Sequence, residues 1–179
     1  MKAQWQLWTS ALSKEQCQQI KYICEQYAPV DAGIFAENKP DDKVRRSKVR
    51  WVYDKSIKAL LLDYAEQANR NAFNVDIDQP FEIQYTEYHS NENGFYDWHH
   101  DVELNNTKAF DRKLSVVIQL DDPTEYKGGN FEFKGIENPN FKPQGSVIVF
   151  PSFLEHRVTP VTSGIRHSLV TWVEGPPWR

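Results

Sequence analysis

Cysteine is nearly absent from this chain: 179 residues contain two, Cys17 and Cys24, beside a single methionine. No zinc-type cysteine spacing exists, so a thiolate metal site is excluded. If both cysteines lie on one N-terminal helix, their seven-residue separation places them about 10 Å apart along its axis. A disulfide tolerates roughly 7 Å between Cα atoms, so the two are expected to stay unbridged. No apolar stretch approaches about 18 residues, and no membrane span is expected. The opening Met1-Lys2-Ala3-Gln4-Trp5-Gln6 lacks the apolar centre of a signal peptide, which makes a cytoplasmic location the expectation. A surplus of one charge sign is also missing. The 21 Lys and Arg against 25 Asp and Glu leave a net charge of −4, with no global pull toward nucleic acid or acidic membranes. Internal repeats, low-complexity tracts and inter-domain linkers are absent as well.

Aromatic residues, by contrast, are plentiful. Ten Phe, eight Tyr and six Trp favour a β-rich core with aromatic-lined pockets. The length fits one domain over residues 1–179 with a sizeable core. Its first part, to about residue 80, reads as helical. Ser13-Lys14-Glu15-Gln16 forms a capping box, followed by Cys17, Ile20, Cys24 and Tyr27 on one face. Asp54 caps a second helix, on which Ile57, Leu61, Tyr64, Ala68 and Ala72 recur at helical spacing. Between the two, residues 29–50 carry Gly33, Pro40 and the charged run Asp41–Arg50. That segment reads as a long loop of the lid or binding-loop kind, with Lys43–Arg50 as a solvated face.

From residue 81 the periodicity becomes strand-like. The expected strands are Phe81–Tyr88, Tyr96–Asp101, Lys113–Leu120, Asn130–Phe133, Ser146–Phe150, His156–Val158 and Ser168–Val173. Asn91-Glu92-Asn93-Gly94, Asp121-Asp122-Pro123, Gly128-Gly129 and Pro143-Gln144-Gly145 supply turns between them. Helices followed by many short strands predict helices packed on one face of a β-sandwich or double-stranded barrel.

The chemistry concentrates at Trp98-His99-His100-Asp101. On an extended strand, residues i and i+2 emerge on one face about 7 Å apart, so His99 and Asp101 can converge on one cation while His100 points away. His156 as a third ligand gives two histidines and one carboxylate, the facial set that leaves positions open on non-heme Fe(II). A lone histidine is ordinarily a surface or hydrogen-bonded core residue, and His-x-Asp alone is a weak pattern. The order His99, Asp101, His156 and then Arg166 strengthens it. Arg166 carries a planar, always-charged fork suited to a carboxylate; taken alone it reads equally as half of a surface ion pair.

From about Phe81 to Trp172 the chain resembles the Fe(II)/2-oxoglutarate-dependent oxygenases, in their prolyl 4-hydroxylase-like branch. The residues that carry the resemblance are Tyr88, Gly94, Tyr96, His99-x-Asp101, Arg112-Lys113-Leu114-Ser115, Leu120, Gly128-Gly129-Asn130-Phe131, Pro143-Gln144-Gly145, Phe150-Pro151-Ser152, His156-x-Val158, Pro160-Val161, Gly164-x-Arg166 and Trp172. Leu12–Cys17 is similar to the family's opening helix, and Arg46-Ser47 with Val49 and Trp51 to a segment preceding its barrel.

The resemblance implies a mainly β fold with N-terminal α-helices: a double-stranded β-helix (jelly roll) buttressed by helices, with its barrel over about 81–179. It implies Fe(II) held by His99, Asp101 and His156, with 2-oxoglutarate as co-substrate and O₂ as oxidant, and it brings in ascorbate as a reductant. Arg166 would hold the distal carboxylate of 2-oxoglutarate, with Tyr88, Gln119 and Ser168 lining the same pocket. The reaction would hydroxylate an unactivated C–H bond and release succinate and CO₂, with a prolyl residue of a peptide or protein as the first-choice substrate. A free amino acid or a nucleobase remains an alternative, although the overall acidity argues against nucleic acid. Two other classes stay open: a non-catalytic, metal-binding cupin-like module, and a zinc hydrolase using the same three ligands. Arg166 argues against both, since neither needs a co-substrate anchor. Oligomeric state is not legible in the sequence.

Overall fold

The structure is a computed structural model that describes residues 2–32, 42–78, 82–102 and 109–178. In chain order its elements are β1 (Gln6–Trp8), α1 (Lys14–Glu25), β2 (Val30–Asp31), β3 (Arg45–Arg46), β4 (Lys48–Val52), α2 (Lys55–Ala68), β5 (Ile83–His89), β6 (Phe95–His99), β7 (Asp111–Gln119), β8 (Lys127–Gly128), β9 (Phe131–Phe133), β10 (Val147–Pro151), β11 (His156–Val158), β12 (Val161–Ser163) and β13 (Ile165–Gly175).

Both helices begin where local chemistry dictates. At α1 the Ser13 hydroxyl accepts from the Gln16 N–H, and the Gln16 side chain accepts from the Ser13 N–H, which satisfies two otherwise unpaired donors. At α2 the Asp54 carboxylate accepts from the N–H groups of Ser56 and Ile57. Helix α1 buries Cys17, Ile20 and Cys24, and α2 buries Ile57, Leu61, Ala65 and Ala68. The two cysteines are unbridged. Burial pushes their thiols up to about 11 and about 12, so they are packing groups rather than nucleophiles.

The strands form a seven-stranded sheet in the order β1-β10-β7-β13-β5-β4-β2, a four-stranded sheet β3-β6-β11-β9, and a two-stranded ribbon β12-β8. Alternation along the central strands sorts side chains between two cores. Leu114, Val116 and Ile118 of β7, with Leu169 and Val173 of β13, pack in the same apolar cluster as the helices. The opposite parity, Ser115, Val117 and Gln119 of β7 with Arg166, Ser168, Val170 and Trp172 of β13, faces the space between the sheets. The result is the expected jelly-roll with helices buttressing the large sheet.

The strands lie within a few residues of their expected positions. His156–Val158 is reproduced, whereas β13 is much longer than expected because it pairs with β5 on one side and β7 on the other. Phe81 lies outside the described residues. The first 80 residues are less helical than expected, since β1 to β4 all fall within them. Strand β1 borrows its order from β10, pairing Gln6–Trp8 with Val147–Val149. The reading of 29–50 as one long loop is corrected for its described parts: β2, β3 and β4 occupy much of it, and Arg45 is buried. Gly33, Pro40 and Asp41 lie outside the described residues.

Candidate active site

Two strands of the small sheet bring the histidines together. His156 on β11 pairs directly with His99 on β6, so both rings leave the same face side by side. Asp101 arrives differently from the expectation of a shared strand face. Strand β6 ends at His99, and the chain turns so that the Asp101 N–H donates to the Ser152 carbonyl at 2.8 Å. That bond, just past the end of β10, returns the carboxylate to the histidines. His100 is exposed, and its ring bonds the Val102 carbonyl through Nδ1 at 2.8 Å, in keeping with its expected exclusion from the ligand set.

The candidate ligand atoms of His99, Asp101 and His156 lie within 4.8 Å of one another. The His99 Nε2 is 3.7 Å from Asp101 Oδ1, and the His156 Nε2 is 3.6 Å from Asp101 Oδ2. Each imidazole donates its Nδ1–H to a backbone carbonyl: His99 to Asp97 at 2.7 Å, and His156 to Leu154 at 2.8 Å. A carbonyl only accepts, so the proton sits on Nδ1 and the Nε2 lone pair faces the centre, as a divalent metal requires. Burial, reinforced by His156, pushes the His99 imidazolium down to about 3, which keeps the ring neutral. Burial pushes the Asp101 carboxyl up, but His156, His99 and the Ser115 hydroxyl outweigh it and hold the group below its usual range.

Ser115 sets the orientation of that carboxylate. Its hydroxyl donates to Asp101 Oδ2 at 2.7 Å and lies 2.9 Å from the Ser152 hydroxyl. Ser115→Ala should weaken Fe(II) binding about tenfold or more, the usual cost of removing such an orienting partner. Anaerobic Fe(II) titration checks this, and an unchanged affinity would refute the role.

Aromatic rings enclose the triad. Tyr96 stacks on His99 with ring centroids 3.4 Å apart, and Phe150 meets His156 at 4.8 Å. The cavity between the sheets that holds the triad is also lined by Tyr88, Arg166, Ser168 and Trp172. Arg166 is 1% exposed, and its Nη1 has no hydrogen-bond partner within the protein. A buried guanidinium nitrogen left unpaired is costly unless an anion completes it. The residues therefore fit both groups: two imidazoles and a carboxylate for Fe(II), and in the same cavity an unsatisfied cation for the far end of a dicarboxylate. Tyr88 is the cross-strand partner of Arg166, with its ring centroid 5.6 Å from the guanidinium carbon. Gln119 and Ser168 are also cross-strand partners, and both are buried on the inner face.

Some residues of this region were not singled out from the sequence. Arg45, read as part of a solvated run, lines the cavity. Its Nε donates to Ser47 Oγ at 2.8 Å, its Nη2 to Gln84 Oε1 at 2.7 Å, and its guanidinium lies over Tyr96. The signal was its two-residue spacing from Ser47, a strand parity hidden among like charges. Tyr126 is a buried aromatic between two turn signals, where turn chemistry alone calls for polar residues. Arg112 faces the carboxylate of Glu82 at 3.5 Å and lies over the Trp172 ring.

The 2OG-Fe(II) oxygenase superfamily model matches residues 83–174, just over half of the chain. A PKHD-type hydroxylase of Synechococcus sp. (strain CC9311) is 40% identical over 83 residues, 45% of this chain and 37% of that protein. A PKHD-type hydroxylase of Aliarcobacter butzleri is 28% identical over 172 residues, 91% of this chain and 75% of that one. The first match thus spans little more than a third of its relative's length. Among solved structures, a Pseudomonas putida prolyl-4-hydroxylase superimposes with a TM-score of 0.73 at 20% identity, covering 95% of this chain and 92% of that one. A Trichoplax adhaerens prolyl hydroxylase, solved with a peptide fragment of the hypoxia inducible factor oxygen degradation domain, gives 0.74 at 16% identity, covering 95% and 83%. At these identities the structures establish the shared fold. With the triad geometry and the matched residues together, the chain belongs to the 2OG-Fe(II) oxygenase superfamily.

Proposed function

We propose that this protein is an Fe(II)- and 2-oxoglutarate-dependent hydroxylase acting on a prolyl residue of a peptide or protein. The observation that carries the reading is the unpaired, buried Arg166 nitrogen across one cavity from a His-Asp-His set. A keto-dicarboxylate can satisfy both ends at once. Fe(II) with 2-oxoglutarate and O₂ supplies the oxidation, in which decarboxylation to succinate and CO₂ accompanies hydroxylation of a C–H bond.

The chain's own residues bind, orient and shield. His99, Asp101 and His156 hold the metal, and Ser115 fixes the carboxylate. Arg166 anchors the co-substrate, with Tyr88 and Ser168 against it. Tyr96, Phe131, Phe150 and Trp172 exclude water around the reacting centre. A zinc hydrolase would need a general base besides the metal ligands. Among the described residues, Asp101 is the only carboxylate lining the cavity and His99 and His156 its only histidines, which disfavours the hydrolase reading.

The peptide substrate is supported by the prolyl hydroxylases that share the fold. The basic run Lys43–Arg50, the local feature that would favour a nucleic-acid substrate, has its arginines turned inward or paired. Arg45 is buried, Arg46 donates to the Glu92 carbonyl, and Arg50 pairs with Glu87 at 2.9 Å. Among the described residues no helix is long and apolar enough to cross a membrane.

Anaerobic loading with Fe(II) followed by 2-oxoglutarate should produce a weak visible charge-transfer band. Prolyl peptides should then stimulate succinate release under air, with ascorbate present, more than free proline or nucleobases do. Absence of the band with iron demonstrably bound would overturn the oxygenase reading. Stimulation by free proline alone would overturn the peptide substrate.

A further inference from the structure

The turn between β10 and β11, residues 151–154, does more for the triad than join two strands. The Ser152 carbonyl accepts the Asp101 N–H at 2.8 Å, and the Leu154 carbonyl accepts the His156 Nδ1–H at 2.8 Å. The Ser152 hydroxyl lies 2.9 Å from that of Ser115, which donates to Asp101 Oδ2. Asp101 and His156 therefore both take their orientation from one short turn. His99 does not, since its Nδ1 bonds the Asp97 carbonyl of its own strand.

Turns are ordinarily among the more mobile parts of a barrel, and Phe153 at the apex of this one is 39% exposed. On its inner side the turn is tied to β7, where the Ser152 N–H donates to the Lys113 carbonyl at 3.0 Å. On its outer side it is held by a ring. Phe153 meets Trp178 edge to face, with centroids 5.2 Å apart and planes at 76°.

Trp178 is itself built onto the start of β7. Gly175, the last residue of β13, pairs with Asp111 and passes so close to the Asp76 carbonyl that a Cβ would collide with it. Pro176 and Pro177 follow, and their rings restrict the path of the backbone. The Trp178 N–H then donates to Asp111 Oδ2 at 2.7 Å, and its Nε1–H to the Arg112 carbonyl at 3.2 Å. The Lys113 ammonium lies over the indole at 3.9 Å. Three consecutive residues of β7 thus fix one indole, and the same Lys113 gives its carbonyl to Ser152. The contacts close a circuit on the strand that carries Ser115.

We propose that Trp178 is a positioning residue for the metal centre: through Phe153 it holds the 151–154 turn where the carbonyls of Ser152 and Leu154 aim Asp101 and His156 at one point. Ligand sets work when held within about 0.5 Å of their productive geometry. A turn that shifts on losing its outer support misdirects two ligands at once. The inference rests on the oxygenase reading above for the identity of the metal, Fe(II).

The test is metal binding without turnover. Trp178→Ala, Trp178→Phe, Phe153→Ala and the double alanine variant are titrated anaerobically with Fe(II). Each single alanine variant should weaken Fe(II) about tenfold, the low end for losing an outer partner of a ligand. The double variant should be no weaker than either single one, because both changes remove the same contact. Trp178→Phe keeps a ring against Phe153 and should recover most of the affinity. In the metal-free protein, isotope-edited NMR of the imidazoles should show the His156 Nδ1–H signal displaced in Trp178→Ala and that of His99 unmoved, a split that general loosening of the fold would not produce. Wild-type Fe(II) affinity in Phe153→Ala would overturn the proposal. Losses that add in the double variant, or histidine signals that move together, would overturn it too. Because Phe153 is half-exposed, its variant decides the matter even if Trp178→Ala does not fold. Absence of the 2-oxoglutarate charge-transfer band in iron-loaded wild type would instead overturn the oxygenase reading, leaving the effect of the turn on metal affinity untouched.

Discussion

Asp101→Ala should abolish Fe(II) binding and all turnover. Two imidazoles remain, and burial pushes the His99 imidazolium down to about 3. They can offer lone pairs but no charge to offset the desolvation of a dication. Among the described residues Asp101 is the only anion lining the cavity, so its loss removes both a ligand and the countercharge they supply. Fe(II) affinity should fall by more than the roughly 10–100-fold associated with losing a supporting partner, and the 2-oxoglutarate charge-transfer band should vanish. The variant should still fold, because Asp101 belongs to none of the apolar clusters that pack the helices and sheets. Retention of wild-type iron stoichiometry in Asp101→Ala would show that the three ligand atoms are not the metal site.

The second large effect lies away from the iron. Asp121 is 1% exposed, and its carboxylate accepts from Lys21 of α1 at 2.6 Å. On the β13 side it also accepts from His167 Nδ1 at 2.9 Å and from the His167 backbone N–H. This one side chain ties the first helix to the strand that carries Arg166. Asp121→Ala leaves those donors facing a buried gap, at a cost of about 3 kcal/mol. For a chain of this size that lowers Tm by roughly 6–12 °C.

The dependence on pH follows from the direction of the carboxyl's shift. Burial raises its pKa, but His167 and Lys21 outweigh burial and hold it below the ordinary 3.8. A folded value below the unfolded one means the contribution is fully present above the unfolded value. It is lost as pH falls through the folded value. Melting curves from about pH 7 down to about pH 3 should therefore show wild type and Asp121→Asn converging in acid. Parallel curves, or a variant as stable as wild type near neutrality, would remove Asp121 from this role.

Much of the architecture could be read from local pattern because local chemistry sets it. The Ser13 and Asp54 caps start both helices where the sequence places them. Strand alternation sorts Ser115, Val117 and Gln119 from Leu114, Val116 and Ile118. The metal set was legible because its ligands are chemically uncommon and ordered in the chain. Other features depend on distant partners. Strand β1 is three residues long and exists through its pairing with β10. Asp101 reaches the centre through a turn and a bond to the Ser152 carbonyl, which no spacing rule encodes. Arg45 was hidden because a cationic run ordinarily faces solvent, and only Gln84, 39 residues away, shows that it is buried. Tyr126 is buried through a distant partner too, since the Gln119 amide of β7 donates to its hydroxyl at 2.9 Å.

Ser47 alone separates β3 from β4, yet those strands belong to different sheets: Arg45 and Arg46 pair with Tyr96 and Phe95 of the small sheet, while Lys48–Val52 pair with β5 of the large one. Arg45 locks the corner from inside by bonding Ser47 on its own turn and Gln84 on β5. Consecutive Cα atoms stand about 3.8 Å apart, so along this edge the two sheets are joined like the covers of a book at its spine. The sheets cannot part there without unzipping a ladder on one side or the other, so the stretch of cavity wall that Arg45 lines is fixed in width.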